Sequence, residues 1–174
     1  PELPSNMGRF IFAGAPPGRW LHPFDDIVGS LPALAGAAKG NGALTFVPDG
    51  DGVVRRVPLV LQVAGQPVAT LAGETLRVGQ GVPNVILKSD GDGAGLLEMR
   101  IGDATIPTTP HGEVWVHYSR AVPGRYLPAW QVIAGKVPPE LLEGHLVLVG
   151  SSAQGLMDLR FNTLGRVMPG VEAH

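Results

Sequence analysis

The chain has 174 residues, of which 44% are hydrophobic and 16% are charged, and its formal net charge at pH 7 is −2. A chain of this length suits one domain, which buries roughly 70% of the surface that its unfolded form exposes. The slightly acidic charge excludes the basic surface that nucleic acid requires, and the absence of cysteine excludes disulfides and cysteine metal sites. No apolar run approaches the roughly 18 residues of a membrane-spanning helix.

The first part of the chain alternates between short predicted elements and turns. Residues 9–13 have an apolar strand pattern, which ends at a glycine and two prolines. Two aspartates at the start of 25–31 can cap a helix over that segment. Residues 32–42 predict a second, alanine-rich helical turn, which begins with proline and ends at two glycines.

The tetrad Asp-Gly-Asp-Gly occurs twice, at 49–52 and at 90–93. Each tetrad lies between two extended runs, and glycine accepts the positive φ that a tight turn requires. Both tetrads therefore predict β-hairpins. The strands of the first hairpin are expected at 44–47 and 53–63, and those of the second at 85–88 and 96–101.

Two further segments, 68–78 and 128–135, have the spacing of helices. The proline at 128 suits the first residue of its helix, and the glycine at 135 suits its end. The apolar residues of this helix predict one buried stripe, formed by Trp130, Ile133 and Val137.

Short strands are expected at 104–106 and 114–118, paired with each other. Residues 146–149 are uniformly apolar, which predicts a strand covered on both faces. Helices mixed with hairpins indicate a single α/β domain with a mixed β-sheet and packed helices.

An arginine pair lies in the first hairpin. Arg55 shares its strand face with two valines, whereas Arg56 points to the opposite face. Because a buried charge needs a counter-ion, Arg55 is predicted to be partly buried and paired with Asp51 or Asp158. The alternative hypothesis is that Arg55 or Arg56 holds an anionic ligand.

The apolar run at 146–149 is followed by Gly150, Ser151 and Ser152, an order that invites comparison with the nucleophile elbow of hydrolases. That elbow needs Gly-x-Ser-x-Gly, and Gln154 occupies its last position. A phosphate-binding loop is excluded as well, because no Gly-Lys-Ser/Thr follows. We expect a loop that turns the chain or contacts a ligand through backbone amides, and no catalytic residue.

No metal or cofactor is expected. A calcium loop would need oxygen ligands at the alternating positions after each tetrad, where Val53 and Ala94 stand. The five histidines lack the spacing of metal ligands, and His117 is predicted to be a hydrogen-bonded structural residue of the strand at 114–118.

Four segments, in order along the chain, resemble the CHASE type 2 extracellular sensor domains. They are 49–59, 128–142, the segment from 146 to 163, and 169–174. The positions that carry the pattern are Asp49, Asp51, Gly52, Arg55, Pro58, Gly150, Gly170 and Glu172. Each motif alone is modest, whereas their order and spacing are specific.

The resemblance implies a sensor without chemistry of its own, on the periplasmic or extracellular side of the bacterial inner membrane. Membrane helices outside this chain would tether it and lead to an adenylate or diguanylate cyclase or a kinase. The implied partners are an unknown small ligand or a periplasmic partner, and a second copy in a homodimer, without nucleic acid. The candidate ligand-binding residues are Arg55, Arg56, Ser151, Ser152 and Asp158.

We expect residues 1–174 to be one sensor domain excised from a larger protein. The acidic strand end and the Trp/Pro-rich segment of the family's N-terminal half are not found, which indicates the C-terminal portion of a longer domain. A connecting helix is predicted to begin after Pro169, with Glu172 and His174 in its first turn. The alternatives are a serine hydrolase using Ser152 or Ser151 and a structural dimerisation module.

Overall fold

The structure, a computed structural model, describes residues 3–45, 47–91, 94–120, 122–151 and 159–173. Within these ranges the helices are α1 (Pro32–Ala37), α2 (Leu71–Gly79) and α3 (Ala129–Ile133). The strands are β1 (Arg9–Ala13), β2 (Pro23–Phe24), β3 (Arg56–Pro58), β4 (Val60–Val63), β5 (Gln66–Ala69), β6 (Asn84–Ser89), β7 (Leu96–Ile101), β8 (Ala104–Pro107), β9 (Glu113–Trp115), β10 (Leu159–Phe161) and β11 (Val167–Pro169). Short 3-10 turns lie at Gly18–Trp20, Pro123–Arg125, Pro139–Leu141 and Gly170–Ala173.

The larger sheet has the strand order β1-β6-β7-β8. β1 runs parallel to β6, whereas β6, β7 and β8 pair in antiparallel fashion, so the sheet is mixed. Because side chains alternate along a strand, β6 buries Val85, Leu87 and Ser89 and leaves Lys88 exposed. The α/β fold class predicted from the sequence is confirmed.

The core lies between this sheet, the start of β4 and helix α2. Gly73 of α2 approaches the sheet so closely that a β-carbon there would lie 3.1 Å from the backbone oxygen of Leu59 and 3.2 Å from Met99. A side chain at 73 would therefore require these neighbours to shift by a few tenths of an ångström. The buried residues of the cluster are Leu21, Leu59, Val60, Val85, Leu87, Leu96, Met99 and Ile101.

Three smaller sheets surround this core. One has the order β2-β4-β5, β3 pairs with β9, and β10 pairs with β11. The hairpin of β4 and β5 turns through Ala64 (φ 46°) and Gly65 (φ 82°), two left-handed residues in succession. The expected continuous strand over 53–63 is therefore wrong, because residue 59 separates β3 from β4 and the two strands join different sheets.

Several predicted elements are confirmed. β1 lies where the sequence pattern places it, and α1 begins at the predicted proline. The helix predicted over 68–78 forms as α2, but it begins only at Leu71, because residues 68 and 69 belong to β5. β6 and β7 form the predicted second hairpin, although two residues of its tetrad, Asp92 and Gly93, lie outside the described residues.

The predicted helix over 25–31 is wrong, since these residues form no regular element. The side chain of Asp26 accepts a hydrogen bond from the N–H of the next residue, Ile27, at 2.8 Å, whereas a helix cap accepts from the N–H two or three residues later. Gly29 adds backbone freedom, and Pro32 disfavours a helical conformation at the residue before it.

Two strand pairings are also wrong. Residues 44, 45 and 47 form no strand, so the first tetrad makes a tight turn without the predicted hairpin. β8 pairs with β7, and β9 pairs with β3, instead of with each other. His117 lies beyond the end of β9 and is exposed, which contradicts its placement in the strand. Alternation identifies a strand, whereas its partner depends on contacts distant in sequence.

The run at 146–149 forms no strand, and its residues are 40% to 92% exposed. The predicted coverage on both faces is therefore wrong; Leu146 packs against Gly79 of α2, and the following residues line an open cleft. The buried stripe of α3 is wrong too, because Trp130 and Ile133 are 59% and 86% exposed.

The boundaries of α3 agree better with the sequence. Pro128 directly precedes the helix, and Gly135 follows it with a φ of 64°, the left-handed conformation that ends helices. Within the described ranges, no helix has both the length and the apolar composition that crossing a membrane would require.

Candidate functional site

The first tetrad folds as a tight turn that positions two carboxylates. The backbone N–H of Gly52 donates to the oxygen of Asp49 at 2.8 Å, and Gly52 has a φ of 78° that favours glycine. The side chain of Asp51 accepts from the N–H of Val53 at 3.1 Å. Both aspartates therefore project toward the strand that follows.

Arg55 lies between these two carboxylates. Its guanidinium donates to Asp49 at 2.8 Å and to both oxygens of Asp51 at 2.9 and 2.8 Å, a bidentate geometry. The side chain is 36% exposed. The predicted partial burial and the pairing with Asp51 are confirmed, whereas the other candidate partner, Asp158, lies outside the described residues.

Arg56 extends the same set of charges into the interior. It donates to Asp49 at 2.6 Å and to Glu113 at 3.2 Å, and its guanidinium lies 5.3 Å from the ring centre of Trp115. Its buried Nε has no hydrogen-bond partner among the described residues. We call Asp49, Asp51, Arg55, Arg56 and Glu113 the arginine network.

Glu113 is the buried member of the arginine network, and the sequence analysis did not identify it. Its carboxylate accepts from Arg56 and from the hydroxyl of Thr109 (3.1 Å), and it pairs with His22 Nε2 at 2.9 Å. Pro58, opposite Glu113 in the ladder, is fully buried. One sequence signal could have identified Glu113: it is an acidic residue next to the apolar residues of a short strand. An acid that is buried in such a strand needs a hydrogen-bonding or charged partner.

Hydrogen bonds within the arginine network favour the charged forms of its aspartates and arginines. Arg55 lowers the pKa of Asp51 to about 2, and Arg55 and Arg56 lower the pKa of Asp49. The same aspartates raise the pKa values of both arginines. Carboxylates of the chain itself already occupy both guanidinium groups, so the contacts favour a structural ion-pair network over an anion site.

A cleft of about 600 Å³ lies between α2 and the C-terminal part of the chain. Five chain segments contribute its walls, and most of the side chains are aliphatic. The lining residues are Leu44, Leu71, Thr75, Val147, Leu148, Val149, Gly150, Ser151, Arg160, Gly170 and Val171.

The structure separates the sequence-predicted ligand candidates. Ser151 lines the cleft, whereas Arg55 and Arg56 belong to the arginine network. The other two candidates, Ser152 and Asp158, lie outside the described residues. In the part of the chain that the structure describes, Ser151 makes no hydrogen bond to a histidine, so no nucleophile and base are brought together there.

The chain leaves the cleft through the 3-10 turn Gly170–Ala173, which we call the exit turn. Gly150 packs on this turn so tightly that a β-carbon on it would lie 2.6 Å from Cβ of Val171. Glu172 lies in the first turn, as predicted, although the turn is 3-10 rather than a full helix; His174 lies outside the described residues.

One tyrosine, Tyr126, bonds to the exit turn, and a second, Tyr118, lies near enough to feel the charge of Glu172. The hydroxyl of Tyr126 donates to the carboxylate of Glu172, and this hydrogen bond, followed by burial, raises the pKa of Tyr126. Burial and then the charge of Glu172 raise the pKa of Tyr118. The contact of Tyr126 could not be predicted from sequence patterns, because Tyr126 lies 46 residues from its partner.

A second buried ion pair lies in α2, away from the cleft. Glu74 accepts from Arg77 at 2.9 and 2.6 Å, and Arg77 also donates to the backbone oxygen of Val82 at 2.9 Å. Gly8 and Gly40 cover the pair, since a β-carbon at either position would overlap it. The pair therefore fastens the N-terminal segment to the helix.

The described residues contain no group of three or more histidine and acidic side chains that could hold a metal ion. His22 and His111 come near each other, with ring centres 5.6 Å apart, but Glu113 and the backbone oxygen of Trp20 engage their ring nitrogens.

Comparison with known proteins agrees with the resemblance found in the sequence. The family model described as the CHASE2 domain matches residues 8–174. No curated protein and no solved structure matches the chain. CHASE2 domains are extracellular sensory domains of signalling receptors. The match covers nearly the whole chain, which therefore belongs to the CHASE2 family.

Proposed function

We propose that this chain is the periplasmic input domain of a bacterial membrane receptor, that it binds a small ligand in the cleft, and that it passes the bound state through the exit turn. Helices beyond the chain connect it to an adenylate or diguanylate cyclase or a kinase, and the receptor is a homodimer. The family supports the sensory role. The geometry of the cleft supports the transmission of the bound state through the exit turn.

One observation carries this proposal: the cleft and the exit turn share residues. Gly170 and Val171 line the cleft and also belong to the exit turn. A ligand in the cleft would contact the last described turn of the chain directly. Gly150 transmits displacement from the opposite wall, because it has no side chain to separate its backbone from Val171.

Signalling requires a ligand that binds two conformations with different affinity. The exit turn offers such an element, since a few contacts hold it and Glu172 is bonded to a distant segment. A ligand that moves Val171 strains the hydrogen bond between Glu172 and Tyr126. The position of the chain's end thereby depends on whether a ligand occupies the cleft.

Filling the cleft with a side chain tests the coupling without a ligand. The chain has two tyrosines, and both lie near Glu172, so incorporated 3-fluorotyrosine reports on the exit turn. Val147 is a 56% exposed cleft residue, and Val147→Trp is expected to move the ¹⁹F resonance of Tyr126. Val28→Trp, the same change at a fully exposed position outside the cleft, is the control. Identical spectra for both variants would contradict the coupling.

Reporter fusions test the location. In the full-length gene product, alkaline phosphatase inserted beside this domain is expected to be active, because that enzyme matures only outside the cytoplasm, where disulfides form. β-Galactosidase at the same site is expected to be inactive. The opposite pattern would place the domain inside the cell and end the proposal.

A further inference from the structure

The segment around α3 leaves large apolar side chains in solvent. Trp130 and Ile133 lie one turn apart on α3, so they share a face of the helix, and both are exposed. Val122 and Tyr126, just before the helix, are exposed as well. All four residues lie outside the lining of the cleft. Large apolar side chains that are grouped in solvent mark an interaction surface.

The charged residues of the same segment have one sign. The sequence contains no acidic residue between Glu113 and Glu140, whereas Arg120, Arg125 and Lys136 lie in that interval. All three cations are exposed, and none of them forms a salt bridge within the part of the chain that the structure describes. The formal net charge of the whole chain is −2, so this positive charge is local. We call the described residues of 120–138 the docking segment.

The cations and the apolar side chains lie close together. Nζ of Lys136 lies 5.3 Å from the ring centre of Trp130, on the helix whose exposed face also carries Ile133. Tryptophan and tyrosine rings favour the boundary between water and hydrocarbon, because each ring has an apolar body and a polar group. An anionic lipid surface offers hydrocarbon to the rings and phosphates to the cations, whereas a purely apolar partner would leave the cations without counter-ions.

The docking segment is also attached to the end of the chain. The hydroxyl of Tyr126 donates to the carboxylate of Glu172 in the exit turn. In the receptor proposed above, the exit turn leads to a membrane helix, so this bond keeps the docking segment at the membrane end of the domain. Glu172 offsets one of the three positive charges, and a net positive charge remains.

We infer that the docking segment lies on the surface of an anionic bilayer, with Trp130 and Ile133 in the headgroup region and the three cations against lipid phosphates. The inference rests on the proposed function for the membrane that the domain meets in the cell, while the affinity for lipid stands on the segment itself. Because the apolar area is small, binding is expected to be reversible and to depend on lipid charge and on salt.

Co-sedimentation of the unaltered chain with lipid vesicles tests the inference. Vesicles of equal parts phosphatidylglycerol and phosphatidylcholine are expected to bind at least about tenfold more tightly than vesicles of phosphatidylcholine, because each cation near an anionic surface contributes about fivefold. Raising the salt from about 0.05 M to about 0.5 M should weaken this binding, since salt screens exposed charges. Equal binding to both kinds of vesicle, or no binding to the anionic ones, would overturn the inference.

Two pairs of variants locate the contact. Lys136→Gln is expected to weaken binding to the anionic vesicles about fivefold, whereas Lys39→Gln, the same change at an exposed lysine beyond α1, should leave it unchanged. Ile133→Ser is expected to weaken it about fivefold or more, whereas Val28→Ser, at a fully exposed position outside the segment, should not. All four positions are exposed, so the variants are expected to stay folded. Equal losses within either pair would overturn the assignment.

A second copy of the chain is the competing occupant of this face. Analytical ultracentrifugation of the lipid-free chain is expected to give the same sedimentation coefficient for the wild type and for Ile133→Ser. A lipid-free dimer that Ile133→Ser dissociates would assign the face to a second copy and overturn the inference.

The ¹⁹F spectra separate this inference from the proposed function. Vesicle binding by a chain whose Tyr126 resonance does not move in Val147→Trp supports the docking segment and contradicts the coupling. A Tyr126 resonance that moves in Val147→Trp, in a chain that does not bind anionic vesicles, supports the coupling and overturns the docking segment.

Discussion

Arg56 is the residue on which the arginine network depends. It bonds to an aspartate of the tight turn and to the buried Glu113, so it links a surface loop to the interior. Trp115 covers one side of its guanidinium. The motif that resembles the family pattern therefore has a structural explanation, since its aspartates hold the two arginines in place.

Acid is expected to weaken the arginine network in a defined pH range. Folding lowers the pKa of Asp51 from 3.8 to about 2, so its ion pair stabilises the fold fully above pH 3.8. That stabilisation is lost as the pH falls through about 2. In urea titrations at several pH values, Asp51→Asn should lose part of the acid dependence between these limits.

Asp103→Asn is the control for this titration, because Asp103 is exposed and its side chain makes no recorded contact in the described structure. It should leave the acid dependence of the unfolding free energy unchanged. Parallel curves for the wild type and Asp51→Asn would contradict the role assigned to this carboxylate.

A second residue-scale prediction concerns the turn between β4 and β5. Ala64 has a φ of 46°, a conformation that costs an alanine about 1 kcal/mol. Ala64→Asn, which gives the Asn-Gly pair of a two-residue hairpin turn, should raise the unfolding free energy by about 0.5–1 kcal/mol. Ala64→Val should lower it, since a β-branched side chain tolerates this φ poorly. Stability changes of the same sign would refute the assigned turn.

At the scale of elements, α2 is the helix that organises the fold. Its Glu74 and Arg77 side chains are 4% and 10% exposed and share two short hydrogen bonds. Removing one charge leaves the other buried without its partner. The pair is therefore expected to matter more than the exposed ion pair of Lys88 and Glu98.

Thermal and urea denaturation of two single variants measure this difference. Glu74→Gln should cost about 3–5 kcal/mol of unfolding free energy, because Arg77 stays buried beside a neutral side chain. Lys88→Gln should cost less than about 1 kcal/mol, because the pair is exposed and 3.3 Å apart. Comparable losses would show that burial does not set the strength of these pairs.

The elements also show what sequence patterns can and cannot predict. β6 and β7 were predictable, because their side chains alternate and a turn tetrad joins them. α2 was predictable from its helical spacing. The three elements lie within about 35 residues of one another along the chain. β3 and β9 were not, since their pairing joins Arg56 to Trp115 across a long separation. The uniform run at 146–149 reveals hydrophobicity, but hydrophobicity alone does not determine whether the rest of the chain covers it.

The same distinction between local contacts and contacts distant in sequence applies to the candidate site. The ion pair of Arg55 with Asp51 was predictable from the cost of a bare buried charge. The strand alternation that placed Arg55 and Arg56 on opposite faces does not apply, because Arg55 lies outside β3 and both arginines bond to Asp49. Ser151 was predicted as a possible ligand contact from its loop. Tyr126 was not identified, because its contact depends on where the exit turn lies in space.

At the scale of the whole molecule, stability is concentrated in the N-terminal two thirds of the chain. All eight buried residues of the core cluster fall between positions 21 and 101, whereas most described residues from 122 to 150 are exposed. The cleft lies between these two parts, since α2 belongs to the first and the run at 146–149 to the second.

This distribution predicts unequal effects of two apolar substitutions. Leu87→Ala should lower the unfolding free energy by about 2–5 kcal/mol, because Leu87 is fully buried in β6. Ile133→Ser should change it by less than about 0.5 kcal/mol, because Ile133 is 86% exposed on α3. Urea denaturation measures both, and a large loss for Ile133→Ser would mean that α3 is covered in solution.

The cleft and the exit turn share a wall, so the coupling between them acts in both directions. Linkage requires that a ligand which repositions Val171 be bound more tightly, by the same factor, whenever something else places Val171 there first. In the proposed tethered receptor, tension from a membrane on the chain's end would therefore change the ligand concentration at which the domain responds.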